Sequence, residues 1–427
     1  MSPVDGCSRS RALSVLLCLA VFVLISLQIG CGGATSNTGS SGGGVSGGSS
    51  GSGSGGSGGG SGGSGGSGSG GSGSGGSGGG GSPIAYVYVG APNLSGTNPP
   101  IAGFAVASDG TAQTIAGSPF NLTSGGIVAT SNYAFATDGT NIVTYTIGSG
   151  GALQQASSIN GTANNQIPSG SSVQALSLDR SGQTLYAAEL NYDGAGNNAF
   201  SYFGIGSGGA LSFLGSSSVE ANDHGPLVFS QNNQFAYGAG CYHFNSEIYG
   251  FTRSSDGTLT SLDTNAALPP NVDPNTMWCP DDSAASAGNF LAVVFYDLSQ
   301  QNGTYYLATY SINPDGTLGL VANSEIATPF TGETAVSFDP SGQYLAVAGQ
   351  AGIQMYQINS TGTLTALGDV QQPSVTFQGL RWDGAGHLYA VSSDGLYIFT
   401  SNSGQLTLDG SPYPVTNAGS LAVVPLS

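Results

Sequence analysis

The sequence predicts an all-β protein: a seven-bladed β-propeller of four-stranded blades, closed by the C-terminal strand joining the N-terminal blade. Three observations carry that prediction. A glycine turn, in most copies two residues ahead of a leucine, recurs seven times, as "ASDGTAQ", "GSGGALQ", "GSGGALS", "SSDGTLT", "NPDGTLG", "NSTGTLT" and "SNSGQLT". The segments around these turns repeat a unit of four short strands, about 40 to 50 residues long, which cannot cover its own two faces and must stack on neighbours. The first unit also lacks its opening strand, while the chain ends on a strand with no unit behind it.

In chain order, residues 1–30 have the layout of an export signal. Arg9 and Arg11 precede an apolar run from Ala12 to Ile29, a charged n-region followed by an h-region. The run ends in "LQIGCGG", which resembles the bacterial lipoprotein cleavage box and makes Cys31 the lipidated residue and the membrane the expected partner; Gln28 stands where that box usually has leucine. Gly32 is not the aspartate that retains lipoproteins in the inner membrane, so the expected location is the cell envelope, as an outer-membrane lipoprotein or facing the periplasm or the outside. Simple secretion after cleavage and retention as a membrane anchor stay open, because the run is at the lower edge of spanning length. Residues 31–82 are nearly all Gly and Ser, too poor in apolar groups to offset ordering entropy. They form a disordered tether with a reach of about 40 Å.

Residues 83–427 hold the blades. Glu333 to Val370 gives the reference unit, with strands "TAVSF", "YLAVAG", "GIQMYQI" and "TLTALG" separated by connections rich in Gly, Asn, Asp and Pro. The unit repeats from Val173, Gly225 and Phe377, more loosely from "DDSAASAGNFLAVVFYDL", and in shortened form at "GIVATSNYAFATDG". "IAYVYVG" fits a second strand and "IAGFAVASDG" a third, whereas "AGSLAVVPLS" from Ala418 fits a first strand. Pairing the two ends leaves no open edge; a pair of β-sandwiches leaves the missing and spare strands unexplained.

The formal net charge is -18, and all five basic residues are arginine. That balance disfavours nucleic acid and other anionic partners. By the blade register Arg180 and Arg253 fall on the face opposite the long loops, and Arg381 is expected to pair with Asp383. Cys7 and Cys18 leave with the signal and Cys31 is the residue expected to be acylated, so the exported domain keeps Cys241 and Cys279, in a loop of blade four and just before blade five. In an oxidising compartment they are expected to form a disulfide; two free thiols, or a Cys/His pair with His243, is the alternative.

The units, above all "FDPSGQYLAVAG" and "IQMYQINSTGTLTALG", resemble the lactonase family of seven-bladed propellers, which includes 6-phosphogluconolactonase-like and muconate-cycloisomerase-like proteins. The resemblance implies a ligand site where first strands begin, with His-Pro-His and Pro-Arg-His segments there and a Glu after a second strand. Here the matching segments read "SSVQALSL" and "DHGPLVFS", with no neighbouring arginine, and Glu189 in "YAAEL" is the matching glutamate. Catalytic candidates are therefore His224 or His243 as general base on a lactone carbonyl, with Glu189 as helper. Ligand-binding candidates are Gln174, Glu333 and Gln378 near first-strand starts and Asp193 and Trp278 in loops, types that suit a neutral polar or carbohydrate-like ligand. His387 falls on the other face. Asp281 and Asp282 with a histidine show no metal-ligand spacing, and neither a metal nor a cofactor is expected. Two functions follow: a monomeric module binding such a ligand or a protein partner on the loop-rich face, or a hydrolase opening a sugar lactone.

Overall fold

A computed structural model of the chain describes residues 81–90, 100–122, 125–160, 171–191, 197–220, 223–242, 245–262, 278–285, 288–297, 305–330, 332 and 335–426, all within the unit Ser74–Ser427. Among them the strands form seven antiparallel sheets. The sixth is the plainest, running Ala335–Phe338, Tyr344–Gly349, Gly352–Ile358 and Leu364–Gln371 in spatial order. Where a sheet has a fifth member it is a two-residue piece such as Val228–Phe229, which continues the innermost line of blade four along Phe235–Tyr242 after a break.

The ring closes as the missing and spare strands require. Ser420–Pro425 pairs antiparallel with Ala85–Gly90, from Ala85 opposite Pro425 to Gly90 opposite Ser420. Flanking bonds from the Leu426 amide to the Ile84 carbonyl, 2.7 Å, and from Gly419 to Gly90, 3.0 Å, extend the seam. The first blade thus draws its innermost strand from the far end of the chain.

Each blade is apolar on both faces, because successive side chains of a strand point into opposite interfaces. In Ala85–Gly90, Val87 and Val89 pack toward the last blade, whereas Tyr88 packs toward the second. The described core falls into seven clusters, each shared by two neighbouring blades, including last with first. Runs such as "FLAVVFYD" at Phe290–Asp297 therefore read as nearly continuous hydrophobic strands.

The repeated turns link third to fourth strands, and their glycines tie one blade to the next. Gly257 has φ +93° and Gly316 φ +86°, conformations that disfavour a Cβ. Both also sit against a side chain of the preceding blade, Thr184 for Gly257 and Phe235 for Gly316. Their carbonyls accept bonds from buried tyrosines of that blade: Tyr186 Oη to Gly257 O at 2.7 Å and Tyr237 Oη to Gly316 O at 2.9 Å. Tyr88 bonds Gly151 O in the same way at 2.7 Å. Asp256 and Asp315 hold the turns by accepting from the amides of Thr258 and Thr317, each at 3.0 Å.

Three sequence expectations need correction. Trp278 and Cys279 lie inside the first strand of blade five, Trp278–Ala285, not in the loop before it; the indole packs in the interface cluster with Ala239 and Ile248 of blade four, which extends the strand. Cys241 lies in the strand Phe235–Tyr242, not in the loop after it. Asp383 holds His387 Nδ1 at 3.0 Å and Tyr389 Oη at 2.9 Å, while Arg381 Nη1 donates to Leu380 O at 2.8 Å. The expected Arg381–Asp383 pair is thus replaced by a local carboxylate–histidine pair, reached because His387 begins the strand that pairs with Arg381's own. No helix among the described residues is long and apolar enough to cross a membrane.

Candidate functional site

First strands enter the ring from the face that carries the long loops, and two of them enter through matching bulges. In blade three the register shifts between Val173 and Ala175, and in blade seven between Phe377 and Gly379. The extra residues are Gln174 and Gln378, both exposed. A bulge leaves one residue outside the ladder and redirects it, so two glutamines take equivalent places around the axis. Gln174 Nε2 donates to Ser172 Oγ at 2.7 Å. In blade five the shift between Pro280 and Ser283 puts Asp281 and Asp282 at the same register position.

Glu189 is the chemically exceptional residue of this face. It lies within the second strand of blade three, Thr184–Asn191, opposite Val173 and Ala199. By alternation it shares a side with Leu185 and Ala187, which belong to the interface with blade two. The residue is 1% exposed, and neither carboxylate oxygen has a hydrogen-bond partner among the described residues. Burial is the main cause that pushes its pKa up to about 7, opposed by the nearby Ser201 hydroxyl, which lies close enough to favour the charged form but outside hydrogen-bond geometry. A carboxyl so placed sits at the boundary between acid and base at neutral pH.

Of the histidines, His224 lies in the short strand Asp223–His224, opposite Gly240 of Phe235–Tyr242. That strand runs beside Thr184–Asn191, so the backbone brings His224 and the Glu189 strand to one neighbourhood. The side chains of His224, Cys241, Asp281 and Asp282, and the whole of Asp193, His243 and Glu333, lie outside the described residues, as does Cys31. Trp278 is 6% exposed and meets the Tyr306 ring edge-on, with centroids 5.1 Å apart. It serves the interface between blades four and five and is not an open stacking surface.

Sequence reasoning missed Ser201. Its signal was a polar residue between Phe200 and Tyr202 on a third strand, placed opposite Ala187. Also unanticipated is an axial cavity of about 420 Å³ lined by innermost strands, with Arg180 and Arg381 in its wall.

The described strands thus form an all-β ring of seven blades that holds a buried carboxyl, Glu189, with its pKa raised. Residues 110–378 match the family described as "Lactonase, 7-bladed beta-propeller", and the chain belongs to that family. Among solved structures it is similar to the periplasmic gluconolactonase of Pseudomonas aeruginosa, with TM-score 0.61 and 16% identity over 80% of this chain and 100% of that one. It is also similar to putative 6-phosphogluconolactonases from Bacteroides fragilis (TM-score 0.59, 16% identity, 80% and 98% covered) and Bacteroides uniformis (0.61, 15%, 80% and 99%). At these identities the likeness concerns the fold. No curated protein matches the sequence.

Proposed function

We propose that this lactonase-family propeller acts in the cell envelope, binding a neutral sugar lactone on its loop-rich face and opening it by hydrolysis. The observation that carries the reading is Glu189, a buried carboxyl with its pKa raised to about 7. As a carboxylate it accepts a proton from a water molecule that adds to the lactone carbonyl; as a carboxylic acid it returns that proton to the ring oxygen when the C–O bond breaks. The product is a hydroxy acid, and its ionisation releases one proton. Gln174 and Gln378 offer neutral donors and acceptors to sugar hydroxyls. His224 or His243 is the second proton carrier.

Anchoring through Cys31 on the Gly/Ser tether belongs to the same reading and rests on the signal layout. So does a disulfide between Cys279 and Cys241. Cys279 is buried, and its strand packs on the strand that holds Cys241.

A second reading, binding without turnover, is favoured by the 1% exposure of Glu189, which makes its proton accessible only through motion at the blade edge. Acid release from a panel of neutral aldonolactones separates the two. Hydrolysis above the spontaneous rate that is lost in Glu189→Gln and reduced in His224→Ala or His243→Ala supports the enzyme. Saturable binding with no turnover supports the module.

A further inference from the structure

The seam between the last and first blades is built differently from the interfaces between blades three and four and between blades four and five. In blades three and four the first residue of the second strand, Thr184 or Phe235, sits against the turn glycine of the next blade. Two residues further on, Tyr186 or Tyr237 donates to the carbonyl of that glycine. In blade seven the same two places hold His387 and Tyr389, on the strand His387–Ser392. Tyr389 packs in the core shared with Val87 and Phe104 of blade one, and by alternation His387 is on that side too. Tyr389 Oη, however, gives its proton to Asp383 Oδ2 at 2.9 Å and has none to offer the blade-one turn.

His387 takes over that contact. Its Nδ1 lies 3.0 Å from Asp383 Oδ2, and the two side chains are 4% and 1% exposed. Asp383 Oδ1 accepts from the amides of Ala385 at 2.8 Å and His387 at 2.9 Å. Burial opposes ionisation of Asp383, but its bonds from His387, Ala385 and Tyr389 outweigh it and hold the carboxyl below its usual range. An ionised carboxylate only accepts, so Nδ1 is the donor. That bond raises His387 above its ordinary 6.5 against the effect of burial, and the charges of Asp383 and Asp409 and the Ser108 backbone of blade one raise it further. With one N–H given to Asp383, only the imidazolium has a second for the Ser108 carbonyl. Asp409 accepts from Thr400 Oγ1 at 2.8 Å and lies against Gly110 of the blade-one turn. Across the seam Asp109 is held below the usual carboxylate range, first by Thr111 and least by His387. The Tyr413 hydroxyl accepts from the Ala112 amide of blade one at 2.8 Å.

We propose that this seam is a pH-sensitive latch: the imidazolium of His387, held by Asp383, ties blade seven to the turn of blade one at residues 108–110, and loss of its proton loosens the joint between the two ends of the ring. Because folding raises the pKa of His387, the latch contributes fully below the ordinary 6.5 and is lost as pH climbs through the folded value. The seam is thus tight in mildly acidic surroundings and looser in alkaline ones. The bonds from Tyr88 to Gly151, Tyr186 to Gly257 and Tyr237 to Gly316 do not respond in this range, because burial raises all three phenols above their ordinary 10. The inference does not depend on the lactone reading.

The test is amide hydrogen exchange of the full chain, read by mass spectrometry near pH 6 and near pH 8.5. Opening of the blade-one peptide 102–114 is taken relative to the blade-six peptide 344–358, so that the intrinsic rise of exchange with pH cancels. The expected result is a ratio that grows about three- to tenfold at the higher pH, the difference between a charge-assisted and a neutral hydrogen bond, and that stays constant in His387→Gln. The histidine ring resonance missing from His387→Gln should titrate in wild type above 6.5. Should His387→Gln not melt cooperatively, Asp409→Asn decides: removing one of the surrounding carboxylates should move both the ring titration and the loosening of the seam to lower pH. A ratio that ignores pH in wild type, a pH dependence that survives in His387→Gln, or a ring that titrates at or below 6.5 overturns the latch. So does an equal loosening of blade six, which marks a change in the whole ring.

Discussion

Replacing Glu189 by glutamine keeps the side-chain shape and removes its ionisation. Burial holds the folded-state pKa at about 7 against an ordinary 4.5. The unfolded chain therefore gives up this proton first as pH rises. The folded state keeps its full advantage below about 4.5 and loses it progressively up to about 7, so on this account stability falls with increasing pH. The whole interval corresponds to about 3 kcal/mol at 1.36 kcal/mol per pH unit, an upper value because local opening would relieve part of it. His387, raised by its bond to Asp383, adds a slope of the same sign, but both proteins share it and it cancels in the comparison. The assay is urea unfolding of wild type and variant near pH 5 and pH 8. Their difference should be small near pH 5 and should favour the variant by about 2 to 3 kcal/mol near pH 8. A difference that does not change with pH would refute a buried, uncompensated carboxyl at this position.

The other predictions concern the ring itself. Gly150 and Gly151 share one turn and both have positive φ, but a Cβ on Gly150 meets open space, whereas on Gly151 it meets Ile115 and Tyr86 at 2.7 and 2.8 Å. Gly150→Ala should cost about 1 kcal/mol and Gly151→Ala clearly more, measured as urea midpoints. Arg253→Gln leaves Asp179 buried with its main cation removed, and should destabilise by about 3 to 5 kcal/mol in the same assay; Arg253→Gln together with Asp179→Asn should recover part of that loss. Ending the chain before Ser420 removes the strand paired with Ala85–Gly90, and size-exclusion chromatography should then show association through the open edge.

Much of the architecture was legible in the sequence, because a propeller is built from local rules repeated. The turn in "SSDGTLT" carries its own geometry: Asp256 bonds Thr258 and Gly257 takes the positive φ. Strand alternation and turn chemistry then count the blades, and the unmatched strands at the two ends announce the closure found between Ser420–Pro425 and Ala85–Gly90. The candidate site was legible only in part. Glu189 was visible as a glutamate on a second strand, and Gln174 and Gln378 as polar residues near first-strand starts.

What tertiary structure alone decided was environment. The same residue types near Trp278 read as a polar loop until the indole is seen filling the gap between two blades. Glu189 becomes unusual only because blade two covers it, and Arg180 and Arg381, 201 positions apart in the chain, share a cavity only because the ring curves back on itself. Hydrogen bonds within a turn are set by neighbours in sequence, so sequence determines them. Desolvation and the potential inside a closed ring are sums over residues distant in sequence, and only the fold brings those residues together.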